Sequence, residues 1–132
     1  TGALTLAAWI KMNQSDKFVH YQPIITKGDQ SWRLQRREGI DTIAFACNGI
    51  SVEDSDWPIA FGSKDVIDGT WHHLVGVYDG TKIALYVDGK LDSARSGWGR
   101  INRTGYLVSI GYNDQMPYRL WKGLLDDVVV PN

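Results

Sequence analysis

The sequence predicts an all-β chain folded as an antiparallel two-sheet β-sandwich, and three observations lead to that class. Turn dipeptides recur along the chain, short β-branched and aromatic runs fill the intervals, and no long stretch repeats apolar residues at helical spacing. The turn signals are Lys27-Gly28-Asp29, Glu38-Gly39, Asn48-Gly49, Asp68-Gly69, Asp79-Gly80 and Asp88-Gly89. Many short strands must either close a barrel or stack two sheets to bury their apolar faces, and we favour stacked antiparallel sheets.

The turn signals also set the predicted strand boundaries. Asn-Gly and Asp-Gly favour tight hairpins because both central residues of the preferred turn need positive φ. The predicted strands lie near residues 4–12, 22–27, 31–37, 42–48, 71–78, 82–87, 90–95, 106–112 and 121–130. The longest stretch without a strand pattern, 54–69, is predicted to be a long loop. A length of 132 residues, with no internal repeat or linker, predicts one domain over residues 1–132.

Composition and charge exclude two classes of partner. The 14 Lys and Arg residues and 15 Asp and Glu residues give a formal net charge of -1, so no overall field attracts nucleic acid or an acidic membrane. No run approaches the ~18 continuous apolar residues of a membrane span, so no membrane insertion is expected. The first residues lack the features of a signal peptide, which leaves export open. The single cysteine, Cys47, lies in an apolar run and is expected to be a buried thiol.

The segment from Trp71 to Gly89 has the clearest strand pattern. Alternation over residues 71–78 separates a face that holds Trp71 from the face of Leu74. Residues 82–87 alternate in the same way and end at the two-residue turn Asp88-Gly89, which pairs Val87 with Lys90. Three successive strands are therefore predicted to form a meander.

This segment resembles the signature of a known family. The matching motifs are Asp68-Gly69-Thr70-Trp71-His72-His73-Leu74, Tyr78-Asp79-Gly80 and Leu85-Tyr86-Val87-Asp88-Gly89. Their order and spacing resemble those of laminin-G-like, concanavalin-A-like jelly-roll domains, and the strands near residues 4–11, 24–28 and 123–128 agree. The resemblance covers nearly the whole chain and implies a jelly roll. It departs at both ends, because the family usually has an earlier strand before the strand of Trp9 and a polar tail after the last strand. Without the earlier strand a sheet edge would be open.

The resemblance includes glucan hydrolases, but the residues do not favour an enzyme. A retaining hydrolase needs two carboxyl groups about 5 Å apart across the scissile bond. The nearest cluster, 52–57, places Glu53 and Asp56 on opposite faces if it is extended. His72 and His73 are adjacent, so a strand points them in opposite directions and they cannot form one dyad or metal site. A buried His73, bonded to a neighbouring strand, is expected instead.

Aromatic residues make binding the favoured class. Aromatic faces stack on the C–H face of sugar rings while polar neighbours bond the hydroxyls. Trp9, Trp32 and Trp71 lie in predicted strands, and at least two of them are expected to be core residues. Trp57 and Trp98 lie among turn residues and are candidate sugar platforms. A tryptophan that only covers the end of the sandwich is the alternative for each.

A second polar and aromatic loop follows the predicted strand at 106–112. Its candidate ligand-binding residues are Tyr112, Asn113, Tyr118 and Arg119. An arginine there can pair with an acidic sugar. On the strand at 31–37, Arg33, Gln35 and Arg37 share one face, which either lines a groove or is solvated.

Calcium is a cofactor that the resemblance implies. Related domains hold calcium at a loop rim through carboxylates and carbonyls, and Asp29 and Asp114 resemble the rim positions. Turn chemistry alone also explains both residues. In the closing strand Asp126 and Asp127 are adjacent, and alternation is expected to send one of them inward.

The sequence therefore predicts a non-catalytic carbohydrate-binding, lectin-like or adhesive module. Its partner is a glycan or polysaccharide, and the resemblance implies a secreted or surface protein. The alternative is a protein-interaction or structural jelly-roll domain that binds no glycan, since fold does not settle function. A glycan-degrading enzyme ranks third.

Overall fold

The computed structural model describes residues 2–13 and 20–130, which form eleven β-strands. Within these residues there is no helix, and hence none that is long and apolar enough to cross a membrane. The strands are β1 (Leu4–Lys11), β2 (Gln22–Thr26), β3 (Trp32–Arg36), β4 (Ile43–Cys47), β5 (Ser51–Val52), β6 (Ile59–Phe61), β7 (His72–Tyr78), β8 (Lys82–Val87), β9 (Lys90–Trp98), β10 (Ser109–Ile110) and β11 (Leu124–Val129).

The strands form two sheets. The six-stranded sheet has the order β11-β1-β7-β8-β9-β5, and the five-stranded sheet has the order β10-β2-β3-β4-β6. Neighbouring strands run antiparallel throughout. The predicted fold class, an all-β antiparallel two-sheet sandwich, is confirmed, and β7, β8 and β9 form the predicted meander.

A tight turn sets the register of this meander. Asp88 and Gly89 have φ angles of 52° and 78°, as the favoured two-residue hairpin turn requires. The turn pairs Val87 with Lys90, as predicted, and a bulge follows further along the two strands. The Asp-Gly signal therefore gave the correct hairpin.

The core lies between the sheets and follows the alternation of the central strands. On β1 the buried side chains are Leu4, Leu6, Ala8 and Ile10. On β7 Leu74 and Tyr78 point inward on either side of Gly76, where an added Cβ would lie 2.7 Å from the ring of Phe45 in β4. The absence of a side chain at Gly76 thus lets the two sheets approach each other.

Two of the three strand tryptophans are not core residues, so that prediction was wrong. Trp32 is buried with 4% exposure, whereas Trp9 and Trp71 are 37% and 41% exposed. The reason is the direction of alternation on β1 and β7. The inward positions hold aliphatic residues such as Leu6 and Leu74, so Trp9 falls on the outer face of the six-stranded sheet. Trp71 lies one residue before β7 begins and is not part of the strand.

Several strand boundaries also differ from the prediction. The predicted loop 54–69 contains β6, and β5 lies outside every predicted strand. Both are two or three residues long and lie at sheet edges, where too few residues alternate to give a pattern. The strand predicted at 106–112 is reduced to Ser109–Ile110.

The closing strand β11 lies at the edge of the six-stranded sheet. Both Asp126 and Asp127 are exposed, so the expectation that one of them points inward was wrong. A bulge is the cause: the register with β1 shifts between Ala7 and Trp9, and Asp127 has a φ of 44°. Bulges bend an edge strand and disturb simple alternation.

Cys47 ends β4 with its side chain in the core, as predicted. Burial raises the pKa of the Cys47 thiol, which keeps the group protonated. The residue is therefore a structural thiol.

Candidate functional site

A loop after β10 folds back over one end of the five-stranded sheet. Tyr112 and Leu120 form an isolated antiparallel bridge that closes this loop. The hydroxyl of Thr26 in β2 donates to the carbonyl of Tyr112 at 2.6 Å, and the amide of Gly111 donates to the carbonyl of Ile24 at 2.8 Å. Residues 111–121, called the 111–121 loop below, are thereby fixed to β2.

Asn113 organises the inside of this loop. It is fully buried, and its Oδ1 accepts hydrogen bonds from the amides of Gln115 and Met116 at 3.0 and 3.1 Å. Its Nδ2 donates to Oδ1 of Asp29, in the turn between β2 and β3, at 2.9 Å. Asn113, a predicted ligand-binding residue, thus holds the loop in position from its buried side.

Asp29 is the centre of the network. Its two carboxylate oxygens accept from Nη1 of Arg119 at 2.9 and 2.8 Å, and Nε of Arg33 lies 3.7 Å from Oδ1. The backbone amide of Asp29 donates to Oε1 of Gln115 at 2.8 Å. Asp29 therefore holds the 111–121 loop by both its side chain and its backbone.

The guanidinium of Arg119 lies between two tyrosine rings. Its Cζ is 5.3 Å from the ring centroid of Tyr21 and 5.6 Å from that of Tyr118, within the range of cation–π attraction. His20 packs edge-on against Tyr118, with centroids 5.0 Å apart. Two phenol rings thus flank a fixed positive charge.

These side chains surround a cleft of about 230 Å³. The lining residues are His20, Tyr21, Gln22, Tyr118, Arg119, Leu120 and Lys122. We call this the tyrosine–arginine cleft. Its polar lining is mostly hydrogen-bond donors, and its apolar lining is mainly aromatic, so it can hold a polar ligand with a flat apolar face.

The sequence identified part of this cleft. Tyr118 and Arg119 line it, and Tyr112 supplies the carbonyl that anchors the loop. His20, Tyr21 and Gln22 were missed. The available signal was the polar and aromatic run at residues 20–22 beside a predicted strand, but no sequence pattern shows that it meets a loop about 90 residues later.

The two predicted tryptophan platforms lie outside the cleft. Trp98 is the last residue of β9, where it pairs with Ser51, so its placement among turn residues was wrong. Its side chain is 57% exposed, and that of Trp57, in the loop before β6, is 67% exposed. Neither lines the tyrosine–arginine cleft. Their exposure is compatible with binding, and their ligand role stays a prediction.

The contacts of Asp29 and Asp114 do not fit a calcium site. Calcium takes six to eight oxygen ligands, and both Asp29 oxygens already bind the Arg119 cation. Oδ2 of Asp114 accepts from the amide of Leu107 at 3.1 Å. Within the described residues no group of three or more His, Cys, Asp or Glu side chains could hold a metal ion.

A separate cluster surrounds His72, and the expectation of a buried His73 was wrong. His72 is the buried one because it shares the inward face of Leu74. Its Nδ1 lies 2.7 Å from Oδ2 of Asp88, and its Nε2 lies 2.9 Å from Oδ1 of Asp68. The ring thereby joins the start of β7 to the turn between β8 and β9.

The charges of this cluster stabilise one another. Burial alone lowers the pKa of His72, but hydrogen bonds to Asp88 and Asp68 outweigh it and raise that pKa above 6.5. Burial acts to raise the pKa of Asp68, and bonds from Thr70 and His72 outweigh it and lower that pKa to about 2. The cluster is a structural clamp. None of its residues lines the tyrosine–arginine cleft.

The fold and the full-length match define the class of the protein. A model of the concanavalin A-like lectin/glucanases superfamily, Laminin_G_3, matches residues 1–132. The chain therefore belongs to this family, as its sequence motifs indicated. No curated protein matches the chain.

Solved structures show the same fold at low identity. A protein from Bacteroides ovatus that is described as carbohydrate binding superposes with a TM-score of 0.72 and 18% identity, over 99% of this chain and 38% of that one. Domain 4 of AbnA, a GH43 extracellular arabinanase from Geobacillus stearothermophilus in complex with arabinotriose, gives 0.61 and 18%, over 96% and 59%. The ligand-binding domain of botulinum neurotoxin serotype D, in complex with N-acetylneuraminic acid, gives 0.54 and 14%, over 83% and 27%. This chain thus spans less than two thirds of each of these neighbours.

Proposed function

We propose that this chain is a non-catalytic, lectin-like module that binds a glycan reversibly in the tyrosine–arginine cleft. The observation that carries the proposal is the placement of Arg119 between Tyr21 and Tyr118, fixed from behind by Asp29. A sugar offers a C–H face to a ring and hydroxyls to a guanidinium, so it matches both parts of this arrangement. The fold shared with carbohydrate-binding domains supports the same class.

Preorganisation supports a binding role for these residues. Arg119 is anchored to both Asp29 oxygens, and Asn113 is anchored below it, so little side-chain freedom remains to be lost on binding. A secreted or surface protein is the setting we propose, because glycans are displayed there.

The experiment is glycan binding by wild type and two matched variants. Tyr118 and Trp98 are both 57% exposed, so their replacement by alanine removes aromatic rings of equal exposure. On a glycan array and by titration calorimetry, Tyr118→Ala is expected to weaken binding at least tenfold, whereas Trp98→Ala leaves it within twofold. Thermal melting checks that both variants fold. Loss of binding only in Trp98→Ala would move the site to the tryptophan platforms.

The same samples test for catalysis. We expect no release of reducing sugar from any polysaccharide that binds, since binding here uses hydrogen bonds and stacking. Measurable turnover that disappears on boiling would contradict the non-catalytic assignment.

The outer face of the six-stranded sheet favours a second candidate function, the binding of a protein partner. Trp9 contacts His73 with centroids 4.9 Å apart, and Leu124 and Val129 on the neighbouring edge strand are exposed. Exposed apolar patches on a sheet face often mark protein interfaces. This function would be favoured over glycan binding by two results together. The wild type would bind nothing on a broad glycan array, and it would self-associate in a way that Trp9→Ser abolishes.

A further inference from the structure

We propose that the tyrosine–arginine cleft selects an acidic sugar and recognises its carboxylate. This inference rests on the proposed function and names the ligand class of the same site. It comes from the hydrogen-bonding state of Gln22 and Arg119, which line the cleft together.

Gln22 lines the cleft and carries a buried donor that has no partner in the described structure. Its Oε1 accepts from Nη1 of Arg36 at 2.8 Å, and because a guanidinium can only donate, that contact fixes which end of the amide is oxygen. The Nε2 group is buried and has no hydrogen-bond partner among the described residues. A buried amide donor without an acceptor is unfavourable, so a ligand acceptor there would be stabilised.

Arg119 carries a second buried donor without a partner in residues 2–13 and 20–130. Its Nη1 is used by both oxygens of Asp29, but its Nε is buried and also lacks a partner within the described part of the chain. Two residues that line one cleft therefore each carry a buried donor without a partner among the residues that the structure describes.

The side-chain acceptors of Asp29 and Gln22 are already engaged. The Asp29 carboxylate binds Arg119 and Asn113, and the Gln22 carbonyl binds Arg36. A neutral hydroxyl would satisfy one donor but bring a hydrogen of its own that needs an acceptor. A carboxylate brings only acceptors, with room for several hydrogen bonds, and its charge strengthens each of them.

The dimensions favour one sugar unit with its ring against tyrosine. The cleft of about 230 Å³ lies below the ~300–1,000 Å³ of sites for drug-sized ligands, so it suits a single residue of a glycan. An acidic peptide carries the same carboxylate on a flexible chain and lacks a rigid face for Tyr21 and Tyr118. The two rings therefore favour a uronic or sialic type of sugar over a peptide.

The test compares ligands that differ only at the carboxyl group. We would titrate the folded chain with trigalacturonate and with sialyllactose, each compared with its own carboxyl-reduced form, and add lactose as a neutral glycan and a glutamate-rich peptide as the non-sugar carboxylate. At least one acidic glycan is expected to bind tenfold or more tightly than its neutral partner, while the peptide binds no better than lactose. Half-molar salt should weaken the acidic ligand by several fold.

Gln22→Glu is the matching change in the protein. It keeps the acceptor that faces Arg36 and replaces the spare donor with an oxygen, so the acidic glycan should lose at least tenfold in affinity. Lys90→Ala, at the exposed start of β9 and outside the cleft, should leave that affinity unchanged. Because the ligand pairs need only wild-type protein, the test holds even if Gln22→Glu fails to fold.

The outcomes separate this inference from the proposed function. Equal binding of an acidic glycan and its reduced form, both lost in Tyr118→Ala, overturns the acidic preference and leaves the glycan function intact. If both Gln22→Glu and Tyr118→Ala bind the acidic glycan as tightly as the wild type does, the assignment of its site to the tyrosine–arginine cleft is overturned. Tighter binding of the peptide than of any glycan overturns the sugar class. No binding of any glycan overturns the proposed function itself.

Discussion

Nη1 of Arg119 lies 2.9 and 2.8 Å from the two carboxylate oxygens of Asp29, a residue 90 positions earlier in the chain. Both side chains are largely shielded from water, with relative exposures of 14% and 19%. Such a pair is worth more as a positioning device than as a source of stability, because desolvation offsets much of the attraction. Its main effect is to hold the 111–121 loop against the turn between β2 and β3.

Asp29→Asn should therefore weaken glycan binding and stability together. The amide cannot hold the guanidinium by two charged contacts, so Arg119 is expected to leave its position between the tyrosines. We expect the free energy of unfolding in urea to fall by about 2 kcal/mol, the scale of hydrogen bonds to charged groups. Asp56→Asn, at an exposed loop position, is the control and should change neither quantity. Unaltered glycan affinity in folded Asp29→Asn would contradict the positioning role.

Calcium should leave the melting temperature unchanged. A ligand that binds only the folded state raises its stability in proportion to the logarithm of ligand concentration, so a stabilising calcium site would respond to chelator. Since the Asp29 oxygens are engaged by Arg119, we expect equal melting curves in millimolar calcium and in excess EDTA. A shift of several degrees would show that the rim rearranges to bind the ion.

The fold could be predicted from the sequence because its signals are local. Asp88-Gly89 fixed a hairpin and its register, since positive φ angles are a requirement of the turn itself. It was harder to predict which face of β1 and of β7 is buried. Trp9 and Trp71 are as apolar as their inward neighbours, and only the packing of the second sheet decides which face it covers.

The site could be predicted only in part because its contacts are distant in sequence. Tyr118 and Arg119 were recognisable as a polar and aromatic loop. The sequence around Asp29 fits a turn residue and a calcium ligand equally well, and only the contact with Arg119 distinguishes the two roles. Tyr21 joins the cleft only because β2 lies next to β10, and no local pattern encodes that pairing.

Gly76→Ala should destabilise the sandwich. The added methyl group would lie 2.7 Å from the Phe45 ring, between two sheets that cannot separate locally. Overpacking of this kind costs about 2 kcal/mol, which urea unfolding can measure. Gly105→Ala is the matched control because an added Cβ there meets nothing within 4 Å. A similar loss in both variants would point to backbone effects and against overpacking between the sheets.

The clamp at His72 should make stability depend on pH. Two carboxylates face its two ring nitrogens, so the doubly protonated ring donates to both, whereas the neutral ring can donate to only one. The pKa of His72 is raised in the folded state, and folding therefore favours proton uptake. This contribution is complete below the unfolded pKa of about 6.5 and is lost as the pH rises through the folded value.

Asp68 acts at the acid end of the range. Its pKa is lowered from 3.8 to about 2, so its contribution is complete above pH 3.8 and is lost as the pH falls toward 2. Together the two shifts predict that the clamp stabilises the fold most between about pH 4 and 6.5. Unfolding free energies measured in urea from pH 3 to 9 should fall on both sides of that window.

Two neighbouring variants identify the group responsible. In His72→Gln the decline above pH 6.5 should be largely absent, because the side chain no longer titrates. His73→Gln should keep the wild-type decline, since His73 lies on the outer face and contacts Trp9 instead. If the wild type and His72→Gln show the same slope between pH 6.5 and 8.5, the pH dependence arises elsewhere in the chain.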